Sequence, residues 1–220
     1  MNINEKCQRL HVLFNNMKQL NFTTEDINNL NYNNGIYIVF EKGEEMHGLN
    51  RIVRIGTHRE INNLKTRLNQ HRQNSGASVF RRKIGCAIIN KNNPNDIDLE
   101  HWYNKDYQLI DKEKLQSIRT FVTQHITQNM SFVSFEVNRT SKEERGTLFW
   151  EAKIISTIAN CPFCLPSNNW LGCYLPEQYG NFPLAKKIGL WLTKETDSPI
   201  LTETELFELE KMLEQSDKCI

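Results

Sequence analysis

Arg67 and His71 stand four residues apart, at the edge of an Ile61, Leu64 and Leu68 stripe of helical period. On a helix that spacing turns both side chains the same way. An arginine can fork onto phosphate oxygens, and a histidine beside it can move a proton near neutral pH. An ordinary surface pair satisfies the same spacing. Glu151 is more distinctive. It sits inside Leu148-Phe149-Trp150-Glu151-Ala152-Lys153-Ile154-Ile155, and on a helix it shares a face with Leu148, Ile154, Ile155 and Ile158. A carboxylate on an apolar stripe must find a cation, because an unpaired buried charge costs roughly several kcal/mol. Arginine, lysine or a metal ion would serve, and a buried salt bridge is the purely structural account. Tyr37 lies in an apolar run and taken alone reads as a core or edge tyrosine. Cys161-Pro162-Phe163-Cys164 has the spacing of half a zinc site, with Cys173 as a candidate third ligand. No second pair of that kind follows it, and free thiols account for these cysteines as simply.

The elements that must carry these groups are legible from period and punctuation. Asn4 to Leu20 reads as an amphipathic helix with Leu10, Leu13, Phe14 and Met17 on its apolar stripe. Thr23 or Thr24, followed by Glu25 and Asp26, marks a helix start. Gly35 to Phe40 and Ile52 to Gly56 read as strands. Glu41 to Asn50, with Gly43 and Gly48, reads as a long hairpin loop between them. Strand alternation puts Arg54 on the face of Ile52, away from Val53 and Ile55. Helices are expected over about Glu60–Arg72, Ser78–Ile89, Asp111–Gln128, Ser141–Ala159 and Thr202–Glu214, with a strand over Ser131–Val137. Asn90–Asp98 reads as a loop, and Cys161–Asn181 has few periodic signals. A hairpin, a later third strand and surrounding helices make an α+β arrangement.

Length and composition set the outer bounds. With 220 residues and a hydrophobic fraction of 39%, the chain can bury a proper core. No run of 18 apolar residues offers a membrane-spanning helix. The N-terminus is polar and Asn-rich, and six cysteines are too thinly spread for a disulfide scaffold. A reduced, cytoplasmic protein is the expectation. The net charge of +1 hides an asymmetry. From Arg51 to Asn90 nine basic residues, Arg81 and Arg82 among them, face a single acid, Glu60. Phosphate backbones attract such a concentration, although a solvated helix face has the same composition. From Glu195 to Asp217 eight acids stand against Lys211.

Taken together, these residues resemble the GIY-YIG endonuclease superfamily. Gly35-Ile36-Tyr37 opens the first strand as that family's first motif does, and Arg54-Ile55-Gly56 stands where its Tyr-Ile-Gly follows on the next. Arg67 falls at the position of the family's catalytic arginine, with His71 one turn later. Glu151 is similar to its metal-binding glutamate. Pro166 to Gly172 is similar to the polar segment that supplies an asparagine near the site, here Asn168 or Asn169. The resemblance covers roughly Asn34 to Trp191. Three features depart from it. Arg54 replaces a tyrosine, the stretch Ile38–Val53 is longer than usual, and Ser78–Gln128 reads as an insertion before the third strand.

The resemblance implies a small three-stranded antiparallel sheet flanked by helices, with helical additions. It divides the chain into a helical segment at 1–33, a nuclease domain at 34–192 with an insertion around 78–128, and an acidic helix at 193–220. It also implies a DNA endonuclease, restriction-like or repair-like, that uses Mg²⁺, with Mn²⁺ as a possible substitute. Glu151 would hold the metal, and Arg67 would clamp the phosphate. Tyr37, with His71, would take the proton of the attacking water. A phenol with a reference pKa of about 10 needs cations nearby for that, and Arg54 could supply one. Asn168, Asn169, Arg81 and Arg82 would bind substrate. The alternative is a non-cleaving nucleic-acid-binding module that keeps the fold, and a rival of another class is an interaction protein with basic and acidic faces.

Overall fold

The computed structural model describes residues 1–58, 60–73, 76, 78–137 and 145–217. Its elements run α1 (Ile3–Asn15), β1 (Leu20–Asn21), α2 (Thr24–Asn28), β2 (Gly35–Met46), β3 (Leu49–Gly56), α3 (Leu64–Arg72), α4 (Val79–Asn92), α5 (Asp98–Asn104), α6 (Lys112–Asn129), β4 (Met130–Glu136), α7 (Thr147–Ala159), α8 (Phe182–Ile188) and α9 (Glu203–Asp217). The strands form one antiparallel sheet in the order β1-β4-β2-β3. The α+β class is as expected. The sheet has a fourth strand where three were expected, because the short β1 pairs Leu20 with Phe132 and Asn21 with Ser131.

Helices cover both faces of the sheet. On one, Leu10 and Phe14 of α1, Ile154 and Ile158 of α7 and Leu209 of α9 pack on Ile36, Ile38, Ile52 and Phe135. On the other, Leu68 of α3, Phe80 and Ile84 of α4 and Val122 of α6 pack on Tyr37, Val39, Val53 and Phe132. Odd and even positions of β2 therefore serve opposite cores, as the two-residue period of a strand requires.

Several boundaries differ from the periodicity, each for a local reason. Helix α1 starts in a capping box between Asn2 and Glu5 and stops at Asn15, whose side chain bonds the backbone of Asn50 both ways. Helix α3 starts at Leu64 rather than Glu60. Asn62 adopts a left-handed φ of 57°, and Asn33 and Asn34 pin the turn through its backbone and side chain. This leaves Ile61 exposed rather than on the stripe. The expected helix over Ser141–Ala159 is seen as α7, and Ser141 to Glu144 lie outside the described residues.

The largest difference is the hairpin. Glu41 to Asn50 is not a long loop, since β2 continues to Met46 and only His47-Gly48 turn, with φ of 52° and 76°. Two central residues at positive φ match the turn that fits strand twist. The charges that disguised this strand are internally satisfied. Buried Arg51 pairs with Glu44 at 2.6 Å and donates to the Gly189 carbonyl at 2.7 Å. Glu41 accepts from the indoles of Trp170 and Trp191 and meets His125 at 2.9 Å. Arg51 is thus structural, and part of the basic stretch is unavailable to phosphate.

Candidate active site

Strand β3 is the sheet edge opposite β1. The Trp191 N–H donates to the Val53 carbonyl at 2.8 Å, so the chain after α8 covers part of that edge. Beside the end of β3 lies a cavity of about 470 Å³, walled by α3, α4, α7 and residues 191–195. Arg54, Arg67, Lys83 and Glu151 face it, together with Thr57 and His58.

A register shift aims Arg54. Val39 pairs with Arg54 but Phe40 pairs with Ile52, so Val53 is an extra residue in β3. Such a bulge lets two successive side chains fall on one side. Arg54 therefore lies on the side of Tyr37 and Val39, which is also the side of Val53, and not on that of Ile52 as strict alternation predicts. Its guanidinium stacks 4.7 Å from the Phe80 ring and donates to the Trp191 carbonyl at 3.1 Å, while its Nε is buried and has no hydrogen-bond partner among the described residues.

Glu151 reaches this cavity from α7, on the opposite side of the sheet. Its Oε1 accepts from the Thr57 N–H at 3.0 Å, and among the described residues it makes no ion pair. Burial pushes its carboxyl above the ordinary carboxylate range, and Arg54 and the Thr57 N–H partly offset this. Lys83 is the counterpart on α4. Its ammonium is buried and, among the described residues, has no hydrogen-bond partner, and burial, then the charges of Arg54 and Arg82, lower its pKa to about 7. A carboxylate without an ion pair and an ammonium without a hydrogen-bond partner, among the described residues, are costly for folding on one cavity wall, and such groups concentrate where chemistry is done.

Tyr37 and His71 stand one layer behind. Both are fully buried and neither lines the cavity. The Tyr37 hydroxyl lies 2.7 Å from His71 Nε2, and His71 Nδ1 lies 2.8 Å from Ser78 Oγ. Burial, then Arg54, Arg67 and Arg81, hold His71 well below the usual histidine range, so it is neutral. A buried phenol must donate its proton. The satisfied arrangement has Tyr37 donating to Nε2 and Nδ1–H donating to Ser78. The same geometry explains the glycine that closes β3. A Cβ at Gly56 would lie 2.3 Å from the Tyr37 oxygen, so the ring fits only over a residue without a side chain.

The remaining residues expected in the site are placed elsewhere. Arg81 is buried, and its guanidinium binds the carbonyls of His71, Arg72 and Arg119 and the Thr123 hydroxyl. It closes the end of α3 and holds the His71 backbone, and it does not line the cavity. Arg82 lies over the Tyr103 ring, outside the cavity wall. Asn168 and Asn169 are exposed. Ser167 beside them is tied to Glu44, near the hairpin turn of β2, while the cavity lies at the other end of that hairpin. Arg54, Arg67 and Glu151 are brought together. Lys83, Thr57 and His58 join them without a sequence signal, apart from the place of Lys83 within the basic stretch.

No curated protein and no solved structure matches this chain. A family model described as the GIY-YIG domain matches residues 1–218. With the Gly35-Ile36-Tyr37 strand paired to Arg54-Ile55-Gly56, and with Glu151 and Arg67 lining one cavity beside the hairpin's end, the chain belongs to the GIY-YIG family, whose members are generally endonucleases.

Proposed function

We propose that this protein is a divalent-metal-dependent DNA endonuclease, restriction-like or repair-like, working in the reducing cytoplasm. The observation that carries the reading is Glu151, a carboxylate without an ion pair among the described residues that shares one cavity with Arg54 and Arg67. None of the five described cysteines forms a disulfide, which supports a reducing compartment. Among the described residues no helix is long and apolar enough to cross a membrane.

The donor chemistry fits Mg²⁺, or Mn²⁺ in its place. Glu151 offers hard oxygen ligands, with Oε1 steadied by Thr57, and one carboxylate suffices for an ion that keeps several waters. When bound, such a cation supplies Lewis-acid stabilisation of charge on the phosphate oxygens and the leaving 3′ oxygen. The chain's own groups do the rest. Arg67 clamps the phosphate by its forked donors. Arg54, with an unpaired Nε, adds a second cation toward the same charge. The neutral His71 keeps Tyr37 polarised behind the wall. Lys83, already on the wall, can hold a phosphate as a cation or take the water's proton as an amine, since its pKa lies near neutrality.

Purified protein incubated with plasmid DNA should nick or linearise it with Mg²⁺ and not without added metal. Binding should weaken steeply from low to physiological salt. No cleavage with Mg²⁺ or Mn²⁺, together with salt-sensitive binding, selects the non-cleaving module. A flat salt response points to the interaction protein. Lys83→Met should change the pH–rate profile around pH 7, and an unchanged profile removes Lys83 from the chemistry.

A further inference from the structure

Four thiol and imidazole side chains outside the cavity converge in the core between α1, β3 and the loop leaving α7. Cys7 and His11 lie one turn apart on α1, and both are fully buried. Cys161 and Cys164, also buried, follow directly on α7. The ligand atoms of Cys7, His11 and Cys164 all lie within 4.8 Å of one another. Cys164 Sγ is 3.7 Å from His11 Nε2, and Cys7 Sγ is 3.8 Å from His11 Nδ1. Cys161, three residues before Cys164, lies outside that set, and its thiol donates to Asn4 Oδ1 at 3.7 Å. Zn–S bonds of about 2.3 Å and Zn–N bonds of about 2.0 Å put the ligand atoms of a tetrahedral site roughly 3.5–3.8 Å apart, the separation already present between Cys164 Sγ and His11 Nε2.

We infer that Cys7, His11, Cys161 and Cys164 form a structural Cys₃His zinc site that ties α1 to the end of α7. One further feature favours a metal over four idle side chains. His11 Nδ1 is 2.9 Å from the Cys7 carbonyl. A proton there fixes the tautomer that presents Nε2 as a ligand, as second-sphere carbonyls do for zinc-bound histidines. In the structure Nε2 accepts from the Ile52 N–H at 3.2 Å, and zinc would take over that lone pair. Three sulfurs and an imidazole select zinc over Mg²⁺, so this site is separate from the hard-oxygen site at Glu151. Cys161 is included as the partner of Cys164 in the Cys-x-x-Cys pair, its thiol turning from Asn4 Oδ1 to the metal, whereas Cys173 lies outside that pair and donates to the Ser167 carbonyl. Helix α7 carries Glu151 as well as leading into Cys161, so the zinc would also steady the wall of the cavity.

Elemental analysis of the full chain, purified without chelator, should find about one zinc per molecule. Cobalt substitution should give the intense visible bands of tetrahedral thiolate coordination. Cys164→Ser and Cys7→Ser should each lower zinc affinity by at least about tenfold in competition with a chromophoric chelator, and His11→Ala should weaken it. Cys173→Ser should keep the full complement. If the ligand variants fail to fold, cobalt and zinc titration of the wild-type chain decides. A wild-type protein that carries no zinc and binds none when reduced overturns the inference, as does full zinc retention by folded Cys164→Ser. Neither result depends on whether the protein cleaves DNA.

Discussion

Glu151→Gln should abolish DNA cleavage in Mg²⁺ while leaving DNA binding largely intact. The amide keeps the shape of the side chain and can still accept the Thr57 N–H bond, which in the wild type spans 3.0 Å. It removes the negative charge that a hard divalent cation requires. Losing the cation removes its stabilisation of both the attacked phosphate and the leaving oxygen, so the expected loss exceeds the roughly 10²–10³ typical of deleting one transition-state donor. Folding should not suffer. The carboxyl is already pushed above its ordinary range by burial, and a neutral group avoids that cost. Gel-based cleavage and binding assays on the same preparation check both halves. Wild-type cleavage by Glu151→Gln would show the metal assignment to be wrong.

Arg54→Ala should slow cleavage by at least about tenfold if the guanidinium stabilises developing charge. The electrostatics centre on this residue. Arg54 lowers the pKa of Glu151, of Lys83 and of His71. Its removal should therefore raise all three. Glu151 would become harder to ionise at acidic pH, and Lys83 would stay protonated to higher pH. The cleavage optimum should accordingly move to higher pH as the rate falls. Stability should change little, because the lost stacking on Phe80 and the bond to the Trp191 carbonyl are offset by relief of a buried charge with an orphaned Nε. Arg54→Tyr, which restores the residue usual at this point of the motif, should be tolerated better than alanine. Normal cleavage by Arg54→Ala would exclude the arginine from the chemistry. Cleavage by Arg54→Tyr alone, with an inert wild type, would mean that the natural chain is a degenerate module.

Local pattern carried much of this site. Gly35-Ile36-Tyr37 reads as the start of a strand because β-branched and aromatic residues follow a glycine, and Gly35 does open β2. Glu151 stands out because an acid interrupts an apolar stripe of period 3.6, and α7 carries it as that pattern requires. Arg67 and His71 do share α3. They part company in depth, since Arg67 reaches the cavity while His71 is sealed against Tyr37. Spacing on a helix sets direction, and the packing of α4 over that helix sets depth.

What local order determined here is the type and order of the main helices and of the strands that carry the motifs, because strand and helix periods are imposed by the backbone within a few residues; β1, α5, α8 and the strand beyond Phe40 were not legible in it. Tertiary structure decided everything that rests on residues far apart in the chain. The bulge at Val53 moved Arg54 to the other side of the sheet, because register depends on the partner strand. Arg81 became a buried clasp on α3 rather than a phosphate contact, because carbonyls from α3 and α6 surround it. Lys83 acquired a pKa of about 7 because the fold withholds both water and an anion from it. Cys161 and Cys164 looked like half a site with no other half, because the partners Cys7 and His11 precede them by some 150 residues. Only the packing of α1 beside the end of α7 brings Cys7 and His11 within 4.8 Å of Cys164.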